Sequence, residues 1–362
     1  MCFPNRPNKK KKVNKYILKK ATQQFFSVKK NEIPEGWNRT MLVAVNTLRS
    51  VGTKYNENID ELQEITDNFP KTLARIGSGI SKDKVKIYED EINNIQGEWY
   101  IPIKEFNNKN TKITKKTFKD IIFSQKPEII LYLHGGAMCL CSHKTHREML
   151  LRLCKSSNRV IFAMNYRKPP EFPFPAPQED CYNIYSWFIN SGFNITIAGD
   201  SAGGNLALYT TKLARNNQIK LPNKLILISP WIDLCENKNN IKLTSSLIEN
   251  SDIDFLPIEG ISKFARQCIK DYKLLDENII NEKLSIYSPC NFNLDQFPDI
   301  YMFVGEKEML IDQQRKFVQN VKESNINISY IEEVNMVHVY PLFAGLGIAS
   351  SKRFFEAISE IF

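Results

Sequence analysis

The sequence predicts an α/β fold with a doubly wound, mostly parallel β-sheet. Six short apolar runs recur between residues 128 and 334, and helical patterns separate most of them. Runs that are apolar throughout are typical of parallel strands covered on both faces, and their alternation with helices indicates βαβ units. The six runs are EIILYLHGG (128–136), RVIFAMNYR (159–167), NITIAGDS (194–201), KLILISP (224–230), DIYMFVGEK (299–307) and NISYIEEV (327–334).

Other patterns complete the predicted order of elements. KVKIYEDEINNIQGEWYIPI (84–103) alternates apolar and polar residues and predicts two strands of a meander, after which 107–127 is predicted to be a polar connection. Helical patterns cover 39–50, 58–76, 145–156, 177–190, 202–216, 310–323 and 349–361. We therefore divide the chain into a basic low-complexity tail (1–35), a helical segment (36–80) and an α/β domain (81–362) with an insertion at about 231–290.

Composition restricts the class of protein. The chain has 362 residues, of which 42% are hydrophobic and 11% aromatic, as in a globular protein. No run approaches the roughly 18 apolar residues of a membrane span, the N-terminus has no signal-peptide pattern, and eight cysteines show no paired spacing. These features predict a cytoplasmic protein with reduced thiols.

The positive charge is confined to one end. Residues 1–35 contain ten Lys and Arg and two Glu, which accounts for eight of the nine net positive charges. A basic surface for nucleic acid is therefore not expected on the remaining chain. The apolar residues of this tail have nearly helical spacing, so the tail is either a solvated extension or a helix that binds weakly to an anionic membrane surface. They are Val13, Tyr16, Ile17, Ala21 and Phe25.

The motif GDSAG (199–203) stands where a strand pattern turns directly into a helical pattern. In this context Gly-x-Ser-x-Gly forms a tight, strained turn that exposes the central serine, and only small residues fit two positions away on either side. Ser201 is thus the predicted nucleophile. The amide of Ala202, at the helix N-terminus, would favour a developing negative charge.

A serine nucleophile requires a base, and the chain has four histidines. On this type of turn the order along the chain is Ser, acid, His, and His338 is the single histidine after Ser201. It follows the last strand pattern, where a base is expected. His143 and His146 are spaced to form a metal pair, but no third ligand lies nearby, so we expect no metal.

Two further parts complete the predicted site. The glycines of LYLHGGA (131–137) would let the N–H groups of Gly135 and Gly136, with that of Ala202, form an oxyanion hole. His134 is expected to brace this loop. The acid that orients His338 is expected in VGEKEMLIDQQ (304–314), where Glu306, Glu308 and Asp312 are the candidates. Glu308 is favoured, because Asp312 is expected in the first turn of the next helix, where a carboxylate stabilises the helix N-terminus.

These motifs together resemble the hormone-sensitive lipase-like branch of the α/β-hydrolase esterases. The resemblance rests on HGG (134–136), YRKPPEFPFPAPQED (166–180), GDSAGG (199–204) and MVHVYPLF (336–343), and it covers roughly residues 75–362. It implies an eight-stranded sheet under a helical cap formed by residues 1–75 and part of 231–290. The family acid is the first Asp of Asp-x-Leu-x-Asp, a position that Glu308 occupies here, and Ala137 replaces the third glycine of the usual HGGG loop.

The predicted function is hydrolysis of carboxylic esters with short to medium acyl chains through an acyl-enzyme on Ser201. His338 acts as base and Glu308 orients it, and no metal or organic cofactor is required. The substrate is a small-molecule or lipid ester. The alternatives are an amide or acetyl hydrolase and a non-catalytic small-molecule receptor on the same scaffold. The plant receptors that resemble this family lack the catalytic histidine, and the presence of His338 therefore disfavours the receptor.

Overall fold

An eight-stranded β-sheet forms the centre of the structure, a computed structural model that describes residues 7–55, 58–73, 84–103, 114–235 and 245–362. The strands are β1 (Val85–Ile92), β2 (Ile95–Pro102), β3 (Glu128–Leu133), β4 (Val160–Met164), β5 (Asn194–Asp200), β6 (Lys224–Ile228), β7 (Asp299–Gly305) and β8 (Ile328–Glu333). Their order in the sheet is β1-β2-β4-β3-β5-β6-β7-β8. Strand β2 is antiparallel to β1 and β4, and all other neighbours are parallel.

This sheet confirms the predicted fold class, and each strand coincides with one of the predicted apolar or alternating runs. The central strands are apolar on both faces because helices cover both: every residue of β4 is buried, and so is all of β5 except Asn194. The helices are α1 (Pro7–Ser27), α2 (Arg39–Tyr55), α3 (Ile59–Leu73), α4 (Lys115–Gln125), α5 (Arg147–Ser157), α6 (Ala176–Asn190), α7 (Ala202–Asn216), α8 (Ser246–Glu249), α9 (Ile258–Gln267), α10 (Glu277–Ser285), α11 (Ile311–Glu323) and α12 (Ala349–Ile361).

Helix α4 corrects one sequence-based prediction, because residues 115–125 are not part of a polar connection. Thr114 caps the helix by accepting a hydrogen bond from Thr117 N at 3.2 Å. Phe118 and Ile122, four residues apart, are both fully buried. The surrounding Lys, Thr and Asn residues concealed this i, i+4 pair in the sequence.

The carboxyl ends of four parallel strands meet at one edge of the sheet. Asp200 at the end of β5 pairs with Ile228 of β6, which in turn pairs with Phe303 of β7. Gly305 at the end of β7 pairs with Glu333 of β8. The loops that carry the predicted nucleophile, acid and base therefore all leave the sheet on the same side, where open α/β sheets bind their ligands.

Helices α2 and α3 and the segment before them contact this same side. Gln63 of α3 donates a hydrogen bond to Cys139 O at 2.6 Å, beside the predicted oxyanion loop. Trp37 Nε1 donates to Asn335 O at 2.7 Å, shortly before His338. The predicted domain boundaries remain predictions, and residues 236–244 of the insertion lie outside the described residues. Within the described ranges, no helix is both long enough and apolar enough to span a bilayer.

Candidate active site

Ser201 occupies a strained turn between β5 and α7. Its backbone has φ +51° and ψ −117°, a conformation that L-residues rarely adopt. A Cβ on Gly199 would overlap the carbonyl oxygen of Gly203, and a Cβ on Gly203 would overlap that of Leu133. Both glycines of the motif are therefore required by close backbone contacts, which agrees with the steric interpretation of the sequence. Ala202 is the first residue of α7, so its N–H lies at the positive end of the helix dipole.

His338 and Glu308 form a buried pair. Nδ1 of His338 lies 2.6 Å from Oε2 of Glu308, and the two side chains are 2% and 0% exposed. Glu308 is held in turn, because its Oε1 accepts from Gly305 N at 2.9 Å and its Oε2 accepts from Gln314 Nε2 at 3.1 Å. A carboxylate bonded at Nδ1 fixes the imidazole ring with Nε2 free to exchange a proton.

The other two acid candidates have different partners. Oε2 of Glu306 accepts a hydrogen bond from Asn335 N at 2.9 Å. Asp312 lies in the first turn of α11, its side chain is 45% exposed, and its Oδ2 accepts from Ser246 N at 2.7 Å. Of the three acid candidates, Glu308 is the one whose carboxylate contacts the His338 ring.

The end of β6 connects the nucleophile to the base. Ser201 N donates to Ile228 O at 2.9 Å, and the next residue, Ser229, accepts a hydrogen bond at its Oγ from Val339 N at 3.0 Å. Val339 directly follows His338, so the nucleophile turn and the segment that carries the base are bonded to two consecutive residues, Ile228 and Ser229. Nε2 of His338 is buried and has no hydrogen-bond partner among the described residues. This nitrogen is therefore available to accept the hydrogen bond from Ser201 Oγ that the predicted mechanism requires.

The charges around His338 favour its protonated form. Burial alone lowers the pKa of the imidazole, but the hydrogen bond and charge of Glu308 oppose this effect, and the pKa lies above its usual value. The charges of Asp254 and Asp200 act in the same direction. An imidazolium formed when the serine proton is transferred would thus be stabilised.

The loop after β3 differs in detail from the predicted oxyanion hole. Gly135 N already donates to Asp200 Oδ1 at 2.9 Å, so this N–H holds the loop in place. Its assignment as an oxyanion donor is corrected on that ground. Gly136 has φ +116°, and a Cβ there would overlap Leu140 O. The N–H groups of Gly136 and Ala202 remain the predicted donors.

Asp200 links this loop to the nucleophile turn. Besides Gly135 N, its carboxylate accepts from Tyr132 OH at 2.6 Å and lies 3.1 Å from Nε2 of His146. Burial raises the pKa of Asp200, yet the charge and hydrogen bond of His146 and the bond from Tyr132 bring it below its usual value. In the sequence, Asp200 stands out as a charged residue at the end of an apolar strand. Its partners were not predicted, because they lie 54 to 68 positions away along the chain.

Two of the remaining histidines, His134 and His146, belong to the same region. The ring of His134 stacks on Tyr166 with centroids 4.3 Å apart, and Tyr166 OH donates to His134 O at 2.7 Å. His134 thus lies where a bracing residue was predicted. His146 is bonded to Asp200, and in the part of the chain that the structure describes no three metal-ligating side chains form a cluster.

Comparison with known proteins places these features among hydrolases. The sequence profile of a family described as alpha/beta hydrolase fold matches residues 130–342. The chain is 30% identical over 222 residues to a protein named acetyl-hydrolase from Streptomyces hygroscopicus, covering 60% of this chain and 69% of that protein. It is 26% identical over 219 residues to a protein named esterase from Acinetobacter venetianus, covering 60% and 68%. It superposes on the crystal structure of an esterase from the bacterial hormone-sensitive lipase family with a TM-score of 0.68 at 22% identity, covering 88% of this chain and 96% of that chain.

Proposed function

The chain belongs to the alpha/beta hydrolase fold family, and from this premise we propose that it cleaves its substrate through an acyl-enzyme on Ser201. It is a carboxylic ester hydrolase similar to the hormone-sensitive lipase-like esterases, so the family and the function class predicted from the sequence are confirmed. The relatives named above are hydrolases, and they do not favour a non-catalytic receptor.

The proposed mechanism follows from the order of contacts at the site. Ser201 Oγ attacks the ester carbonyl carbon while Nε2 of His338 takes the serine proton, and Glu308 holds the imidazolium through Nδ1. The N–H groups of Gly136 and Ala202 stabilise the oxyanion, and His338 returns the proton to the departing alkoxide. In the second half His338 takes a proton from water, the hydroxide attacks the acyl carbon, and Ser201 regains its proton as the acid leaves.

One observation carries this proposal. Nδ1 of His338 lies 2.6 Å from Oε2 of Glu308 in a buried pair, and Nε2 of the same ring is buried without a partner among the described residues. The pair lies at the edge of the sheet where Ser201 has a strained backbone. Strain and an unpartnered buried nitrogen each cost stability, and their occurrence together is typical of a catalytic site. For the substrate we propose short to medium acyl chains, because Ser201 is only 9% exposed and α3 is bonded to the neighbouring loop at Cys139.

A panel of p-nitrophenyl esters from acetate to palmitate tests the function and the acyl length. We expect hydrolysis of the short and medium esters to be faster than that of palmitate, and a fluorophosphonate probe to label Ser201. The Ser201→Ala variant serves as the unlabelled control. If the wild-type protein hydrolyses no ester and Ser201 is not labelled, the acyl-enzyme proposal is wrong; if palmitate is the best substrate, the acyl length is wrong.

We also propose that α1 binds anionic membrane surfaces, where a lipid ester would be presented. On one side of this helix Tyr16 and Ile17 pack against the core, and Lys54 Nζ lies 3.7 Å from the Tyr16 ring centroid. Near its end Phe26 is 80% exposed, and the exposed Lys29 and Lys30 follow. An exposed aromatic side chain beside cations suits the headgroup region of an anionic bilayer, where each Lys contributes about 1 kcal/mol.

Cosedimentation with vesicles of phosphatidylcholine, with and without phosphatidylserine, tests the membrane proposal. We expect binding only to the anionic vesicles, and Phe26→Ser is expected to reduce the bound fraction about fivefold or more, since the apolar anchor is lost. Leu274→Ser removes a side chain that is 85% exposed elsewhere and is the matched control. Equal binding of wild type and Phe26→Ser would contradict the proposal. The cytoplasmic location predicted from the sequence remains a prediction.

A further inference from the structure

Asp254, in the insertion between β6 and β7, is a fully buried carboxylate beside the candidate active site. Its Oδ2 accepts a hydrogen bond from Met309 N at 2.9 Å, and its Oδ1 accepts from His338 N at 3.2 Å. Met309 directly follows Glu308. A single side chain therefore bonds the backbone of the loop that carries the acid and the backbone of the loop that carries the base.

Two other side chains of the same segment also hold the acid loop. Nδ2 of Asn250 donates to Glu308 O at 3.0 Å, and Oγ of Ser246 donates to Met309 O at 2.8 Å. With Asp254, this gives three side chains within nine residues that bond the backbone of Glu308 and Met309. The backbone of the acid loop is thus fixed from outside the sheet.

The cap holds this segment from the other side. Arg49 of α2 donates from Nε to Asp254 O and from a terminal guanidinium nitrogen to Ile253 O, each at 2.6 Å. The guanidinium also provides a positive charge near the buried carboxylate, and an uncompensated buried charge would be costly. Cap helix, inserted segment, acid loop and base loop thus form one continuous hydrogen-bonded chain.

We propose that Asp254 is a positioning residue of the ester hydrolase site, which holds His338 and the Glu308 loop at their mutual distance and adds a second negative charge facing the imidazole. This proposal rests on the proposed function of Ser201 and His338. Asp254 does not touch the reacting atoms; it acts through the two loops. Its removal would leave the nucleophile turn intact and would loosen the geometry on which proton transfer depends.

The charges around this pair set the direction of a pH effect. Burial raises the pKa of Asp254 to about 6, against the opposing charge of His338, so the carboxylate is ionised at neutral pH. His338 is faced by Asp254, Glu308 and Asp200. Asp254 is also faced by Glu308 and by Arg49, and Arg49 in turn by the exposed Asp252. Removing the charge of Asp254 takes away one source of stabilisation of the imidazolium. The pKa of His338 then falls, and the unprotonated base persists to lower pH.

The test compares Asp254→Asn with Asp252→Asn, which removes an exposed carboxylate two residues away. Turnover of a p-nitrophenyl ester is normalised to active sites counted by fluorophosphonate labelling at its end point, so that unfolded protein does not contribute. For Asp254→Asn we expect kcat per labelled site to fall about 10- to 100-fold with KM nearly unchanged, and the acid limb of kcat/KM to move to lower pH. Asp252→Asn should match the wild type.

A second variant keeps the proposal testable if Asp254→Asn yields no folded protein. Asn250→Ala removes one hydrogen bond to the acid loop and no charge, so kcat per labelled site should fall several-fold while the acid limb stays in place. The proposal is overturned if Asp254→Asn has wild-type turnover per site and an unmoved acid limb, or if Asn250→Ala has unchanged kcat. Failure of the wild-type protein to label at Ser201 would count against the proposed function instead.

Discussion

Replacement of Ser201 by Ala is expected to lower kcat for p-nitrophenyl esters by about 10⁴- to 10⁶-fold. The hydroxyl is the proposed nucleophile, and what would remain is the catalysis by bound N–H groups and by substrate positioning. The turn itself should persist, because backbone atoms of Ser201 make its hydrogen bonds to the neighbouring segments. Ser201 N donates to Ile228 O, and Ser201 O accepts from Trp231 N at 2.9 Å. Stability should therefore change little, which a thermal unfolding curve measures.

The control for this variant is Ser157→Ala. Ser157 is a similarly buried serine whose Oγ donates to Leu153 O at 2.7 Å within α5. This substitution removes one hydroxyl without touching the site, so its kcat should equal that of the wild type. If Ser201→Ala retained more than about a hundredth of the wild-type kcat, Ser201 would not be the nucleophile.

Glu308→Gln is expected to reduce kcat by about 10³- to 10⁴-fold, as the loss of the carboxylate does in serine hydrolases of this design. The amide no longer stabilises the imidazolium and can hold the ring in the wrong tautomer. Because the hydrogen bond and charge of Glu308 raise the pKa of His338, the acid limb of kcat/KM should also move to lower pH. Both effects are read from one pH–rate series.

Asp312→Asn is the matched comparison for the acid. The Asp312 carboxylate is half exposed and bonded to Ser246 N, and an amide oxygen can still accept that bond. Its kcat should stay within about threefold of the wild type, since it contributes no charge at the base. A large loss in Asp312→Asn with little change in Glu308→Gln would reverse the assignment of the acid.

The sequence predicted the sheet well because its signals were local. All parallel strands except the more polar β8 are short apolar runs, and the turn at Ser201 is specified by glycines two residues away on each side. His338 was identified by its position after Ser201, and Glu308 by its place in a loop after β7. Helix α4 was missed because only Phe118 and Ile122 show its buried face.

The parts that the sequence did not predict depend on contacts between distant residues. Asp254 bonds Met309 and His338, which lie 55 and 84 positions away, in a segment that has no strand pattern or motif. The N–H of Gly135 looked like an oxyanion donor, and only the folded position of the Asp200 carboxylate shows its actual partner. Spacing along one chain does not encode such pairings.

The contacts of helix α2 limit how the predicted cap can be exchanged for that of another esterase in order to alter substrate preference. Asn38, at its N-terminus, donates to Leu346 O at 2.7 Å, and Arg49 reaches the backbone at 253 and 254. The helix therefore supports the segments around the base and also belongs to the predicted cap. A chimera in which α2 is replaced is expected to lose turnover as well as its original substrate selectivity, unless the new helix has an arginine at the position of Arg49. Replacement of residues in α3 alone leaves the contacts of Asn38 and Arg49 intact.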